Sequence, residues 1–491
     1  MIDQTFSAKN FQEIFDLQNR KGSDIERKFK AIFNQSIEIR KEIRNTTKEI
    51  RESNNKEHLK ALYDLRDELK ARRNLSTLET LEQVSINVNN PSHTVNIQEG
   101  GMYGKQSYKL ENTSEIFFLS KQLQQNIYRN YKIRQASRFE VLSQLIILLE
   151  DNFPKVVIRT DINSFYESIP QKKLISKIKD DNLLSIKSQS FIEKILEGYN
   201  KITKQQDNDE QFGLPRGVGI SAYLSELFMR SIDNEIKDLA DVTFYARYVD
   251  DIVVVFTPQK VVKEQAKIYR HSVEECITKH NLSVNISKTD SFNLIGDLSA
   301  IDIDATPPRI MNFLGYDIGS TKKIKTQINE ADKAHYTLSL SMTCKKKNKY
   351  KERIELAYTE FNNKKSHNRK RAFKMLLARM QFLSSNTRLR NNKSKVFTGI
   401  YYSNPFLQNS VSLDEIQSFN VDKIQDNDFT SKEKDMLLKC DFKIGFLKKR
   451  FICFPLANKT YKNHNSKLKE EPNNGILQFG LSEITKIWKN A

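Results

Sequence analysis

Two short β-branched segments of the sequence carry acidic residues at one end. Residues 245–256, YARYVDDIVVVF, place Asp250 and Asp251 between an aromatic-rich stretch and a run of Val and Ile. β-Branched and aromatic residues favour strands, so this segment predicts two short strands joined by a tight turn at the acidic pair. The segment VVIRTDI at 156–162 predicts a third strand, with Asp161 near its end. The sequence therefore places three carboxylates at the ends of apolar strands.

These three carboxylates need a partner if they come together. A single pair of adjacent Asp residues in a polar hairpin is common, because Asp is a frequent turn residue. Three unpaired carboxylates on one sheet are different, since each raises the pKa of its neighbours. Oxygen ligands suit Mg²⁺, and two Mg²⁺ ions can promote in-line phosphoryl transfer. We therefore expect Asp161, Asp250 and Asp251 to bind two Mg²⁺ ions, for which Mn²⁺ can substitute.

The charge of the chain favours a polyanionic partner. Its 491 residues include 80 Lys and Arg against 61 Asp and Glu, which gives a formal net charge of +19. Basic proteins bind nucleic acids because each neutralised phosphate releases counterions. Exposed helices that carry charge only for solubility would give the same composition. Charge alone therefore favours nucleic acid without identifying a site.

Cysteine spacing and hydropathy indicate in which cellular compartment the protein is expected. The four cysteines, Cys276, Cys344, Cys440 and Cys453, include no CxxC pair, which argues against a disulfide framework and a zinc site. The N-terminal residues lack the basic and then apolar pattern of a secretion signal. Apolar stretches such as LSQLIILL at 142–149 are too short to span a membrane. We therefore expect a reducing compartment and no membrane.

Helical spacing and turn residues divide the chain into regions. Residues 24–86 predict long helices broken near Asn54 and Asn74, and residues 87–108 predict a loop or a short β-ribbon. The other predicted elements are helices over 114–152, 220–236 and 261–280, a strand over 313–319 that ends in Gly, and a basic, largely helical region from about 322. The chain is too long for one compact core. We predict an α+β fold with four regions, 1–110, 111–320, 321–404 and 405–491.

Five segments, taken in order, resemble the palm motifs of reverse transcriptases. They are RTDINSFYESI (159–169), GLPRGVGISAYLSELFM (213–229), YARYVDDIVVVF (245–256), NISKT (285–289) and NFLGYDI (312–318). Their order and spacing match that family over roughly residues 115–320. The resemblance implies a right-hand polymerase with reverse-transcriptase fingers and palm, a helical thumb, and helical N- and C-terminal extensions.

The resemblance also implies roles for residues of the palm. Asp161, Asp250 and Asp251 match the metal-binding triad, and the Ile162 position matches one whose main-chain carbonyl also contacts metal. Tyr166 matches the aromatic residue beneath the incoming sugar, although an ordinary core tyrosine would also fit. Further matched positions are Lys288, which would assist proton transfer to pyrophosphate, and Phe313, Leu314 and Gly315, which would grip the primer end. A surface lysine and plain strand packing, respectively, would explain these last residues equally well.

The segment LPRG departs from the family pattern. Arg216 stands where most reverse transcriptases carry Gln. The Arg fork suits phosphate, so we expect contact with the incoming nucleotide or the template backbone. Gly217 would let the backbone approach the nucleotide, unless it serves only the turn. In the fingers, Arg134 and Arg138 are candidates to bind the triphosphate, because residues four apart share one face of a helix.

Among reverse transcriptases, the chain looks most like the bacterial defence-associated and abortive-infection groups. The segments DINSFYESIP, LPRGVGIS and NFQEIFDLQNRKG carry this similarity, the last of them resembling the type 3 branch. No RNase H-like or His-Asn-His cluster is recognisable. The resemblance implies an antiphage enzyme of the bacterial cytoplasm that uses an RNA template and deoxynucleotides. It also suggests a non-coding RNA, a second reverse transcriptase subunit or self-assembly.

Other functions stay open at this point. DNA synthesis on the same fold could be template-independent or primed from a protein hydroxyl such as that of Tyr401 or Tyr402. A non-catalytic RNA-binding scaffold would not need three carboxylates. The basic segment 340–395 predicts a thumb whose aromatic residues, Tyr350, Phe373 and Phe382, could stack on bases or pack in a helix core. Residues 405–491 could dock on the polymerase, bind RNA or mediate assembly.

Overall fold

The computed structural model describes residues 2–151, 153, 155–205, 208, 210–259, 264–294, 310–323, 335–389, 396–408, 410–454 and 479–488. They form two compact units, one of residues 1–145 and 154–293 and one of residues 146–153 and 294–491. This division is coarser than the four regions expected from the sequence, whose boundaries remain a prediction. No helix in the described part of the chain is long and apolar enough to cross a membrane.

A four-stranded sheet is the centre of the first unit. Its strands are β3 (Lys155–Asp161), β4 (Val242–Tyr248), β5 (Asp251–Phe256) and β6 (Asp290–Leu294), in the order β4-β5-β3-β6. β5 runs antiparallel to both β3 and β4. Every residue of β3 is buried, including the polar residues Lys155, Arg159, Thr160 and Asp161. The strands predicted on either side of the acidic pair are confirmed.

Two amphipathic helices belong to the same core as the sheet. In α10 (Ser221–Lys237), Leu224, Leu227, Phe228, Ile232 and Ile236 are all buried. This is the three- and four-residue spacing that gives a helix one apolar face. In α11 (Gln265–Thr278) the buried residues recur every four positions, and the Tyr269 ring stacks on Phe256 of β5 at 4.0 Å between centroids. Both predicted helices are confirmed, although residues 261–263 lie outside the described residues.

Four helices form the N-terminal region: α1 (Ala8–Arg20), α2 (Ile25–Lys28), α3 (Asn34–Glu52) and α4 (Lys56–Asn89). The predicted break near Asn54 is confirmed, since the Asn55 side chain caps the start of α4 by accepting from the Glu57 N–H. The predicted break near Asn74 is wrong. Asn costs a helix interior only about 0.7 kcal/mol relative to Ala, which tertiary packing overrides.

The Gly-rich segment after α4 forms a β-hairpin. β1 (Ile97–Tyr103) pairs antiparallel with β2 (Lys105–Leu110), and Gly104 turns the chain with φ of +72°. Of the loop or short β-ribbon predicted over 87–108, the β-ribbon is confirmed at 97–110, whereas residues 87–89 belong to α4. The remaining helices of this part of the chain are α5 (Ser114–Tyr131), α6 (Arg138–Leu149), α7 (Phe165–Ser168), α8 (Gln171–Asp181) and α9 (Ile186–Ile202).

The second unit begins with an antiparallel three-stranded sheet. β7 (Ile310–Phe313), β8 (Tyr316–Lys323) and β9 (His335–Met342) lie in that order. The single strand predicted over 313–319 is wrong, because Leu314 and Gly315 have φ of +46° and +80° and turn the chain between β7 and β8. Two successive positive φ angles are the geometry of a tight hairpin turn.

A long basic helix follows the sheet. α12 (Cys344–Ser384) departs from helical geometry at Asn368 and carries 13 Lys and Arg against three Glu. It packs on α13 (Val411–Gln425), where the Tyr358 hydroxyl donates to Asn420 at 3.0 Å. The other elements are β10 (Asn386–Leu389), β11 (Val396–Gly399), α14 (Ser431–Leu438), α15 (Phe442–Leu447) and α16 (Leu481–Ile484). The largely helical prediction holds here except for the strands β9 to β11.

Candidate active site

The sheet register brings the three carboxylates together. Asp161 ends β3 and lies directly opposite Asp251, the first residue of β5. Opposed residues of antiparallel strands have Cα atoms about 4.5–5.5 Å apart. The Ile162 N–H donates to the carbonyl oxygen of Asp250 at 3.2 Å, so the turn that carries Asp250 is tied to the end of β3. Asp161, Asp250, Asp251 and Ile162 therefore form one edge of the sheet, as the sequence predicts.

The turn between β4 and β5 adopts an unfavourable backbone conformation. Val249 has φ of +62°, which a β-branched residue rarely adopts and which costs roughly 1–2 kcal/mol. Arg247 offsets this cost by donating to the Val249 carbonyl oxygen at 3.0 Å. The geometry of the acidic turn is thus fixed by a neighbouring side chain as well as by the strands.

Arg247 itself is held from the side of α10. Its guanidinium donates to both oxygens of Asp233 at 2.8 Å and to Glu226 at 2.7 Å. The side chain is only 5% exposed, and its acidic partners keep its pKa well above the ordinary value in spite of burial. We call Arg247, Glu226, Asp233 and Tyr245 the support layer, since the Tyr245 hydroxyl also donates to Asp233. Sequence reasoning missed this layer, although two acids seven apart on an amphipathic helix were a visible signal.

Two carboxylates at this edge, Asp250 and Asp251, have raised pKa values. Burial raises the pKa of Asp250, and the charges of Asp161 and Asp251 raise it further. Burial also raises the pKa of Asp251, while Arg159 opposes that rise. A cation near these groups would favour their ionised forms.

Two protein cations already contact this edge. The Lys288 ammonium lies 2.9 Å from Oδ1 of Asp161, and the Arg159 guanidinium lies 2.5 Å from Oδ1 of Asp251. Arg159 also donates to the Lys288 carbonyl oxygen, so it is anchored on two sides. We call Asp161, Asp250, Asp251, Arg159 and Lys288 the catalytic edge. Arg159 was not singled out in the sequence.

The donor set of the catalytic edge is of the kind that binds Mg²⁺. It offers hard carboxylate oxygens whose mutual repulsion a divalent cation would relieve. Within the described ranges, however, no three His, Cys, Asp or Glu side chains are arranged as a metal-binding group. The Lys288 side chain is 50% exposed and can move away from Asp161, whereas the nearly buried Arg159 stays on Asp251. Asp161 and Asp250 are therefore the carboxylates best placed to ligate a metal.

A second cluster surrounds Tyr166. The Arg216 guanidinium lies over the Tyr166 ring, 5.0 Å from its centroid, and burial raises the pKa of this tyrosine. Glu167 accepts from Nε and Nη2 of Arg216 at 3.1 and 3.2 Å. The Lys105 ammonium, from the start of β2, lies 3.2 Å from Glu167 as well. One carboxylate thus holds two cations next to the predicted sugar-binding ring.

Gly217 is required by the β1–β2 hairpin. It has φ of +95°, and a Cβ atom there would lie 2.8 Å from the Tyr108 carbonyl oxygen. The Tyr108 N–H in turn donates to the Arg216 carbonyl oxygen at 2.6 Å. The close approach that this glycine permits is therefore to β2 of the same chain. Lys105, Tyr108 and Glu167 were missed in the sequence, although the glycines of the segment IQEGGMYGKQ indicated a hairpin.

The two arginines predicted to share a helical face do not share a helix. α5 ends at Tyr131, and Lys132 has φ of +50°, which turns the chain out of the helix. Arg134 lies in the exposed connection that follows, and Arg138 begins α6. The geometric argument for this pair as one triphosphate clamp is wrong, because residues 133–137 are not helical and the four-residue spacing therefore does not place both arginines on one helical face.

The predicted primer grip belongs to the second unit. Phe313 is buried at the end of β7, and Leu314 and Gly315 form the turn to β8. Their contact with a primer stays a prediction.

Comparison with protein families supplies the class of domain to which this part of the chain belongs. Residues 109–318 match the family model described as reverse transcriptase (RNA-dependent DNA polymerase). This part of the chain is a reverse transcriptase domain, the domain of RNA-directed DNA polymerases, which are nucleotidyltransferases. Domains of this family generally use divalent metal ions.

Solved structures of telomerases also resemble the chain. Apo telomerase from Candida tropicalis, truncated from its C-terminal domain, is 17% identical over 48% of this chain and 55% of its own, with a TM-score of 0.31. Telomerase from Candida albicans, in complex with a TWJ fragment of telomeric RNA, is 12% identical over 72% of this chain and 67% of its own, with a TM-score of 0.35. The chain thus spans about half the length of the first of these structures. No curated protein sequence matches it.

Proposed function

We propose that the protein is an RNA-templated DNA polymerase that joins deoxynucleotides by metal-assisted phosphoryl transfer. The observation that carries the proposal is the pairing of Asp161 with Asp251 across β3 and β5, with Asp250 in the adjoining turn. Within this proposal, 111–320 serve as fingers and palm, 321–404 as thumb, and the flanking regions as helical extensions.

Bound Mg²⁺ would neutralise the triphosphate and activate the primer hydroxyl. Asp161 and Asp250 would hold the ions, together with the main-chain carbonyl of Ile162. Lys288 must then leave Asp161, and its ammonium becomes available to donate a proton to the departing pyrophosphate. Arg159 would keep Asp251 ionised and oriented, so that Asp251 positions the other two carboxylates.

The Tyr166 cluster would bind the incoming nucleotide. The Tyr166 ring would lie beneath the sugar, where its bulk disfavours a 2′-hydroxyl. Arg216 and Lys105 share Glu167 in the free protein, and a triphosphate offers both cations a more highly charged partner. These two cations replace Arg134 and Arg138 as the better-supported triphosphate ligands.

The biological role that we propose is antiphage defence in the bacterial cytoplasm. It rests on the resemblance of the N-terminal and palm segments to defence-associated reverse transcriptases and on the net charge of +19. A non-coding RNA would supply the template, and a second reverse transcriptase subunit or further copies of this chain would complete the assembly.

The test is primer extension by protein purified from its native host, with Mg²⁺ and with each deoxynucleotide alone and together. RNase pretreatment and product sequencing accompany each reaction. We expect a defined product that vanishes after RNase and that Asp161→Asn and Asp250→Asn both abolish. Asp180→Asn, an exposed change on α8, is the matched control and should behave as the unmodified protein does.

Three outcomes would contradict the proposal. A random or homopolymeric product that survives RNase would show template-independent synthesis. Product that resists denaturant and is released by protease would show priming from a protein hydroxyl. Full phage protection by an Asp250→Asn, Asp251→Asn double variant would show a non-catalytic scaffold.

A further inference from the structure

We infer that the second unit carries a binding site for unpaired bases of a single-stranded nucleic acid. The site consists of Phe397, Tyr402 and Phe451, which we call the aromatic platform. This inference concerns binding and goes beyond the polymerase activity proposed above.

Three aromatic rings meet on the surface of this unit. Phe397 of β11 and Tyr402 are stacked, with centroids 5.1 Å apart and an angle of 23° between the rings. The Phe451 ring meets Phe397 edge to face at 5.9 Å. Each of the three residues remains exposed, at 44%, 41% and 42% respectively. Large aromatic side chains that are gathered in one place and left in water indicate an interaction surface.

Cations lie among the rings. The Arg388 guanidinium is 5.9 Å from the Phe397 centroid, and the Lys449 ammonium is 4.4 Å from the centroid of Tyr401, whose ring contacts Tyr402. Arg388 and Lys449 are both exposed. Aromatic faces beside cations suit a chain of bases and phosphates, because bases stack on the rings while phosphates pair with the cations. A protein partner would not require cations to lie beside the aromatic rings.

The backbone beneath the platform is fixed by one buried residue, Asn386. Its N–H donates to the Arg450 carbonyl oxygen at 2.8 Å, and its own carbonyl oxygen accepts from the Ile452 N–H at 2.8 Å. Its side-chain oxygen accepts from the Tyr401 N–H at 2.9 Å. Asn386 thereby connects the segments that carry Tyr402 and Phe451. A platform held in this way loses little conformational freedom when it binds a ligand.

Close packing supports the same arrangement. A Cβ atom on Gly399, which ends β11, would lie 2.3 Å from the Ser385 carbonyl oxygen. A Cβ atom on Gly445 would lie 1.8 Å from the Ser384 carbonyl oxygen. The platform is therefore built on a rigid framework. The aromatic residues Tyr350, Phe373 and Phe382 that were considered for stacking instead pack against Phe442, Phe429 and Trp488.

The ligand is expected to be single-stranded. Bases within a duplex are already stacked and paired, so that they offer no free face to an exposed ring. The rings do not distinguish RNA from DNA, and both are tested. Because every base has an aromatic face, we expect little dependence on sequence.

The experiment measures the affinity of the full-length protein for labelled oligonucleotides by fluorescence anisotropy. The probes are short single-stranded RNA and DNA, their duplexes, and abasic oligonucleotides of equal charge. We expect a Phe397→Ala, Phe451→Ala double variant to bind the single strands roughly 5- to 100-fold more weakly, and the unmodified protein to bind the abasic probes equally weakly. Phe139→Ala, an exposed aromatic change in the first unit, should leave the affinity unchanged.

Two further measurements locate the contact and separate it from catalysis. Photocrosslinking of an oligonucleotide that carries 5-iodouracil should modify Phe397, Tyr402 or Phe451, as read by peptide mass spectrometry. The affinities are measured without Mg²⁺ and deoxynucleotides, so that no synthesis occurs and a failed polymerase proposal leaves this test intact. The abasic probes act on unmodified protein and need no variant to fold.

Equal affinity for normal and abasic strands, equal affinity for duplex and single strand, or crosslinks confined to the first unit would each overturn the inference. A variant that changes only the oligomeric state in light scattering, with its oligonucleotide affinity unchanged, would overturn it as well. That last result would identify a protein interface.

Discussion

Arg159 and Arg247 lie on the two strands that flank β5, and both bind carboxylates, yet their surroundings differ. Arg247 donates to two acids and to a main-chain carbonyl within the support layer. Arg159 contacts one carboxylate of a group of three, and among the described residues its Nε has no hydrogen-bond partner. The comparison teaches that the charges beneath the acidic turn are paired, whereas at the catalytic edge three carboxylates share two cations, at the place where we propose that a metal and substrate bind.

The largest effect is expected at the catalytic edge. Asp250→Asn should lower the rate of DNA synthesis by about a thousandfold or more, because it removes an oxygen that would stabilise several kcal/mol of transition-state charge. The free energy of unfolding without Mg²⁺ should stay unchanged or rise, since one of three mutually repelling carboxylates is gone. Single-turnover primer extension and urea denaturation measure the two quantities. If the rate loss is accompanied by a large loss of stability, Asp250 maintains the fold rather than binding a metal ion for catalysis.

The support layer should show the opposite pattern. Arg247→Met leaves Glu226 and Asp233 without their buried cation and should destabilise the protein by about 3–5 kcal/mol. Arg270→Met breaks a half-exposed pair with Glu274 on α11 and should cost less than about 1 kcal/mol. Denaturant titration compares the two variants. Equal costs would mean that the support layer is no more important than a surface ion pair.

A smaller effect separates two glycines, Gly217 and Gly104, that have positive φ. Gly217→Ala should cost about 2 kcal/mol, because the backbone has positive φ and the new methyl group meets the Tyr108 carbonyl oxygen. Gly104 has a similar φ but no heavy atom within 4 Å of a Cβ, so Gly104→Ala should cost only about 1 kcal/mol. Thermal unfolding resolves the difference. If the two losses are the same, the contact between Gly217 and the Tyr108 carbonyl oxygen adds nothing to the cost of the positive φ.

The smallest stability effect is expected at the Tyr166 cluster. Glu167→Gln frees Arg216 and Lys105 from a half-exposed pair, so the stability should change by less than about 1 kcal/mol. The KM for deoxynucleotides should fall several-fold, because both cations are released toward the triphosphate. Glu193→Gln breaks a similarly exposed pair with Lys179 and should leave the KM unchanged. An unchanged or higher KM in Glu167→Gln would assign Arg216 to another partner.

The strands β3, β4 and β5 and the helix α10 could be predicted from the sequence, because each carries a complete local signal, whereas β6 and α7 were not predicted. β-Branched runs indicated β3 and β5, and apolar residues at three- and four-residue spacing indicated α10. The turn at Leu314 and Gly315 could not be predicted in this way, since Leu rarely adopts a positive φ. Local propensity also failed at Asn74, where packing of α4 outweighs a weak preference.

The partners of the site residues were harder to predict than the residues themselves. The acids were evident because they stand at strand ends. Their cations were not, since Arg159 pairs with a residue 92 positions away and Lys105 with one 62 positions away. Such pairs depend on the sheet register and on the position of the hairpin, which no single segment encodes.

The bonds of Asn386 have a consequence for the order in which the second unit folds. Asn386 and its partner Arg450 are separated by 64 positions, and Ile452, whose N–H donates to the Asn386 carbonyl oxygen, follows Arg450 in the chain. During synthesis the rings of Phe397 and Tyr402 therefore leave the ribosome well before the backbone that fixes them. Long-range contacts of this kind form slowly because the intervening chain must first be ordered. The segment that carries Phe397 and Tyr402 would thus lack its backbone partners until residue 452 has been made, so a ribosome-bound chaperone would encounter these rings before the platform has its final geometry.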